Sequence, residues 1–114
     1  MANAFRANSE FQKAILHYKK TLTLESNHAP AHCNLGLSLQ AIGDIAQAIR
    51  QYQAALKIDP KFVPAQGNLG NAMMAQGAFE DAIKAFWKTL KLQPENYITS
   101  LNLGRAYKEN GDFQ

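Results

Sequence analysis

The chain has 114 residues, 46% hydrophobic and 18% charged, with 4 Pro and 7 Gly. That is length enough to bury roughly two-thirds of the unfolded surface, and too apolar for a disordered or collagen-like segment. The formal net charge of +3 is spread over basic residues that stand mostly alone, with Lys19-Lys20 the one adjacent pair, so a nucleic-acid patch is not expected. No run approaches the roughly 18 apolar residues of a membrane helix, and Met1–Ser9 lacks the apolar core of a signal peptide. Cys33 is the single cysteine, which excludes an internal disulfide and paired-cysteine zinc sites and makes a reducing compartment, the cytoplasm, the default.

In chain order, the pattern predicts a short helix near 2–8, a longer one over 10–24, and helices over 29–42, 45–58, 63–76, 79–92 and 97–110. The evidence for helix is the period. Ile45, Ala48, Ile49, Tyr52, Ala55 and Leu56 fall on one face of a 3.6-residue turn, and the strict alternation of a strand is missing. Gly43, Gly77 and Gly111 lie between successive runs, where positive φ ends one helix and allows the next to begin. Asp44 and Asp112 follow as N-cap candidates. Pro60 and Pro94 come just after the second run of each pair and stop it by restricting the preceding residue.

These elements repeat. Leu35-Gly36, Leu69-Gly70 and Leu103-Gly104 recur every 34 residues, and the same register aligns Ala14, Ala48 and Ala82; Tyr18, Tyr52 and Phe86; and Phe11, Ile45, Phe79 and Phe113. Ser9 and Ser26 occupy the Gly and Pro places of the first, incomplete copy. Gly36, Gly70 and Gly104 in the first helix, with Ala48 and Ala82 in the second, leave room for an aromatic such as Tyr52 or Phe86.

With Leu-Gly in the first helix, Gly at the turn, Ala and an aromatic in the second helix and Pro after it, the chain resembles the tetratricopeptide repeat (TPR) family over essentially its full length. The resemblance implies an all-α fold, a right-handed α-solenoid of stacked antiparallel helix hairpins. It would form a single domain over 1–114, with a partial repeat at 1–28, repeats at 29–62 and 63–96, and a partial repeat at 97–114. His32, Gln66 and Ser100 replace the large aromatic often found early in the family's first helix. Repeats of this kind bury their apolar faces on neighbours and normally end in polar caps. No cap is visible here, so a fragment of a longer repeat protein is expected, with Leu103, Tyr107 and Phe113 uncovered and self-association through the last helix as another way to cover them.

The resemblance also implies that the first helices line a concave surface that receives an extended peptide. Asn34, Asn68 and Asn102 differ by 34 and so face one way in successive repeats. An Asn amide offers an acceptor and two donors, matching both the C=O and the N–H of a peptide. Leu37, Asn71 and Arg105, one turn along, and Gln40, Met74 and Lys108 beyond them complete the candidate peptide-binding set. Similar asparagine ladders occur in the TPR superhelix of O-linked N-acetylglucosamine transferases, so a substrate-recruiting arm of such an enzyme is an alternative. A self-assembling structural module is another. The carboxylate clamp that holds acidic chaperone tails needs Lys and Arg where this chain has Cys33, Pro64, Asn68 and Ile98, which argues against that ligand.

Other constellations carry less. His28 and His32 are four apart, but no further ligand completes a metal set. His17 is isolated, Cys33 has no adjacent base, and Gly67-Asn68-Leu69-Gly70 is not a phosphate loop. Met73, Met74 and the phenylalanines read as interhelical packing. Trp87 follows the packing residue Phe86 and is expected at a convex surface, as a second contact site. Lys57, Lys84, Lys88 and Lys91 are expected in solvent. The expected function is a non-enzymatic protein-interaction scaffold, with no catalytic residue, metal or cofactor, and with a protein or peptide partner.

Overall fold

The computed structural model describes the backbone of residues 2–111 and the side chains of residues 7–111. The described residues form six α-helices: α1 (Ala2–Leu24), α2 (Ala29–Ala41), α3 (Ile45–Ile58), α4 (Val63–Gln76), α5 (Phe79–Leu92) and α6 (Tyr97–Glu109). With no strand among them, the fold is an all-α helical repeat of the solenoid class.

The turn chemistry works as the sequence implies. Gly43, Gly77 and Gly111 have φ of 91°, 80° and 83°, and no other described residue has positive φ. Asp59, extended at φ −135°, and Gln93, at φ −136° and ψ 82°, each stand before a proline, leave the helical region and end α3 and α5. Asp44 Oδ1 accepts the Gln47 N–H at 3.4 Å, and Asn96 Oδ1 accepts that of Thr99 at 3.0 Å. Asp112 lies outside the described residues.

One expectation fails. The helices foreseen at 2–8 and 10–24 are a single helix, α1. Ser9 stands in the column of Gly43, Gly77 and Gly111, and without a glycine to take positive φ the chain runs straight through.

The helices form two compact units, 1–60 and 61–114. In the first, α2 packs against both α1 and α3, with Ile15, Cys33, Leu35, Leu39, Ala48 and Tyr52 buried. In the second, α5 packs between α4 and α6, and Ala82, Phe86, Leu103 and Ala106 form a buried cluster flanked by Met73, Met74 and Ile83. Leu103, expected to be uncovered, is thus buried against α5. Tyr107 is half-buried, and Phe113 lies outside the described residues.

Packing follows residue size within each hairpin. A Cβ at Gly36 would stand 2.6 Å from the Tyr52 ring, and a Cβ at Gly70 would collide with the Phe86 ring. Both glycines are therefore sockets for an aromatic of the second helix, and burying each ring contributes about 1.5–3 kcal/mol.

Candidate functional site

The first helices α2, α4 and α6 each bury one face on their partners and leave a stripe toward solvent. In the first unit the α2 stripe holds Asn34 and Leu37; in the second, the α4 stripe holds Asn68 and Asn71 and the α6 stripe Asn102 and Arg105. Asn34, Asn71 and Arg105 are exposed, Asn68 and Asn102 are half-buried, and Leu37 is 45% exposed, so the stripes of α4 and α6 are polar and that of α2 adds an apolar foothold.

In the second unit two of these residues meet. Asn102 Nδ2 donates to Asn71 Oδ1 at 3.2 Å where α6 touches α4. That bond engages one Asn102 N–H and the Asn71 oxygen, and it does not use the Asn71 amide N–H groups or the Asn102 carbonyl oxygen, a set of donors and an acceptor on one polar surface. The sequence period does not reveal this pair, because Asn71 and Asn102 are 31 apart, one helical turn short of a full repeat. A search at that spacing would find it.

Gln40 is engaged differently. Its Oε1 accepts a hydrogen bond from the Tyr52 hydroxyl at 2.8 Å, and its counterpart Met74 packs against the buried cluster of Ala82, Phe86, Leu103 and Ala106, so both are engaged in packing between helices. The third member of that column, Lys108, is exposed. Burial, with a smaller contribution from nearby Cys33, raises the Tyr52 phenol well above its ordinary value, which keeps the hydroxyl protonated as a donor.

The histidines are built into the first unit. His28 caps α2 by accepting the Ala31 N–H on Nδ1 at 3.0 Å. His32 Nδ1 lies 2.8 Å from Gln51 Oε1 and its Nε2 lies 3.0 Å from the Ser26 carbonyl, tying α2 to α3 and to the preceding loop. In the second unit the equivalent Gln66 donates to the Ala85 carbonyl at 3.4 Å. Residues that take the place of the family's early aromatic thus join first and second helices by hydrogen bonds. Among the described residues no three His, Cys, Asp or Glu side chains gather as a metal site.

A separate apolar groove of about 580 Å3 runs between α5 and α6. Trp87 borders it at 49% exposure, and its indole N–H donates to the Tyr107 hydroxyl at 2.9 Å. Lys57, Lys84, Lys88 and Lys91 are exposed, and Cys33 is buried. No helix among the described residues is long and apolar enough to cross a membrane.

A search of curated protein sequences returned no match. Among solved structures, the MamA protein superposes with a TM-score of 0.87 at 27% identity, over 90% of this chain and 56% of that one. This chain therefore spans little more than half the length of that relative. The Arabidopsis OM64 TPR domain gives a TM-score of 0.84 at 25% identity, over 93% and 88% of the two chains. The first TPR of Spaghetti (RPAP3), bound to an HSP90 peptide, gives 0.88 at 19% identity, over 96% and 86%. The TPR repeat family model matches residues 2–43, 39–77 and 70–111. With the 34-residue register, the glycine turns and the aromatic sockets all in place, the chain belongs to the tetratricopeptide repeat family.

Proposed function

We propose that the chain is a non-enzymatic protein-interaction module that binds an extended polypeptide along the solvent-facing stripe of its first helices, the inner, concave wall that the family resemblance implies. The observation that carries this reading is the Asn102–Asn71 bond, which brings amides of α6 and α4 together on a polar surface. Asn34, Asn68, Asn71 and Asn102 pair with backbone C=O and N–H groups of the ligand. Leu37 takes an apolar side chain, and Arg105 favours a carboxylate nearby. Each backbone bond contributes about 0.5–1.5 kcal/mol net, so several give roughly micromolar affinity with little dependence on ligand sequence.

A related fold bound to a peptide supports the ligand class. An acidic chaperone tail is a poor fit here, because Cys33 is buried and Pro64, Asn68 and Ile98 bring no cation to the stripe. Binding is the whole mechanism: no bond is made or broken.

Selecting binders from a random-peptide phage library on the 114-residue chain tests the reading. Selected peptides should lose affinity about tenfold or more, roughly 1.4 kcal/mol, when Asn34, Asn68 and Asn102 are all changed to Ala. Helicity should be unchanged. Equal affinity for the triple variant would contradict the role of the amides.

A further inference from the structure

Two of the three socket glycines are filled and one is not. Gly36 meets Tyr52 and Gly70 meets Phe86, whereas Gly104 is exposed, with nothing within 4 Å of where its Cβ would stand. The open socket lies in the α5–α6 groove, floored by Leu103 and bordered by Trp87, Leu90 and Tyr107.

The matching knob is on α1. Phe11, Ala14 and Tyr18 repeat the spacing of Ile45, Ala48 and Tyr52 and of Phe79, Ala82 and Phe86. In α3 and α5 the alanine and aromatic of this face are at most 1% exposed, each seated against a first helix. In α1 the same face stands open: Phe11 is 38% exposed, and Ala14 and Tyr18 are only partly covered. Among the described helices, α1 carries the one second-helix pattern whose aromatic has no glycine socket, and α6 the one first-helix socket without an aromatic.

The first-helix residue four places after each socket glycine matches the kind of aromatic. The Tyr52 hydroxyl finds polar Gln40, and for Phe86, which has no hydroxyl, the same column holds apolar Met74, packed against the cluster that includes that ring. The third residue of that column, Lys108, is polar and exposed, which suits a knob bearing a hydroxyl, and Tyr18 is such a knob. A second pair agrees. His32 meets Gln51 and Gln66 meets the Ala85 carbonyl, so the same register sets Ser100 opposite His17, a donor and acceptor together.

We propose that copies of this chain associate head to tail, Tyr18 on α1 of one copy entering the socket over Gly104 on α6 of the next. Lys108 donates to the Tyr18 hydroxyl across the contact, and Phe11 and Ala14 cover the groove floor. The two surfaces differ, so the contact is heterologous. Each copy keeps one open end, and growth continues past a dimer unless a ring closes.

Sedimentation velocity and light scattering over a concentration series test this with the 114-residue chain. The average mass should rise from the 12.6 kDa monomer beyond twice that value as concentration increases. Gly104→Gln plugs the socket at an exposed helical position and should hold the chain at monomer mass with its thermal midpoint kept or raised. Tyr18→Ala should also lose the growth. An equimolar mixture of these two variants restores one intact α1 and one intact α6, and should reach twice the monomer mass and stop there. A wild-type chain of constant monomer mass, leaving the groove to a different occupant, would overturn the proposal. So would growth unaffected by Gly104→Gln, a symmetric dimer that goes no further, or a mixture that stays monomeric.

Discussion

Glycine at 36, 70 and 104 occupies one column in three different surroundings, and the consequence of adding a methyl group differs accordingly. In α2 and α4 the new Cβ meets an aromatic ring at less than 3.0 Å, so Gly36→Ala and Gly70→Ala trade a helix-propensity gain of about 1 kcal/mol for overpacking of about 1–3 kcal/mol. Both should lower the urea midpoint. Gly104→Ala meets open space and should raise it, by up to about 1 kcal/mol. Tyr52 gives a second test at this scale. Its phenol holds its proton more tightly in the folded chain than in the unfolded one, chiefly through burial. The stabilisation is therefore complete below about pH 10, the unfolded value, and is lost as the pH rises through and above it. Tyr52→Phe should flatten that alkaline loss in denaturation curves taken at successive pH, at a neutral-pH cost of about 0.5–1.5 kcal/mol for the Gln40 bond.

At the scale of the helices, boundaries are set by residues with a backbone job. Gly77 ends α4 in the left-handed conformation at φ 80°, returning its N–H to the Met73 and Met74 carbonyls. Gly77→Ala should cost about 1–2 kcal/mol in urea unfolding while helix content stays the same, because the strain falls on one residue. The 34-residue register makes such positions legible: where Gly and Pro are present, the helices from α2 to α6 begin and end within a residue of expectation. Ser9 shows the limit. Its place in the register implies a turn, but a turn needs glycine's freedom as well as position, and α1 continues. Burial of Leu103 was equally hidden in the sequence, since α5 alone suffices to cover it.

At the scale of the molecule, repetition exposes one solvent-facing stripe on every first helix, and its three asparagines are visible as a column in the sequence. What periodicity could not reveal is how amides from different helices pair: Asn102 bonds Asn71, which lies outside its own column, because α6 meets α4 one turn out of step. Nor could it separate Gln40 from the stripe, which required knowing that the Tyr52 hydroxyl reaches it. The stripe and the α5–α6 groove are distinct surfaces carrying distinct reporters, side-chain amides on one and the Trp87 indole on the other. An NMR titration of the 15N-labelled chain, held dilute, with a phage-selected peptide distinguishes them most directly. The account predicts that the side-chain amide signals of Asn34, Asn68, Asn71 and Asn102 shift together and saturably while the Trp87 indole signal stays in place. Shifts confined to Trp87 and Tyr107, with those four amides unmoved, would contradict it.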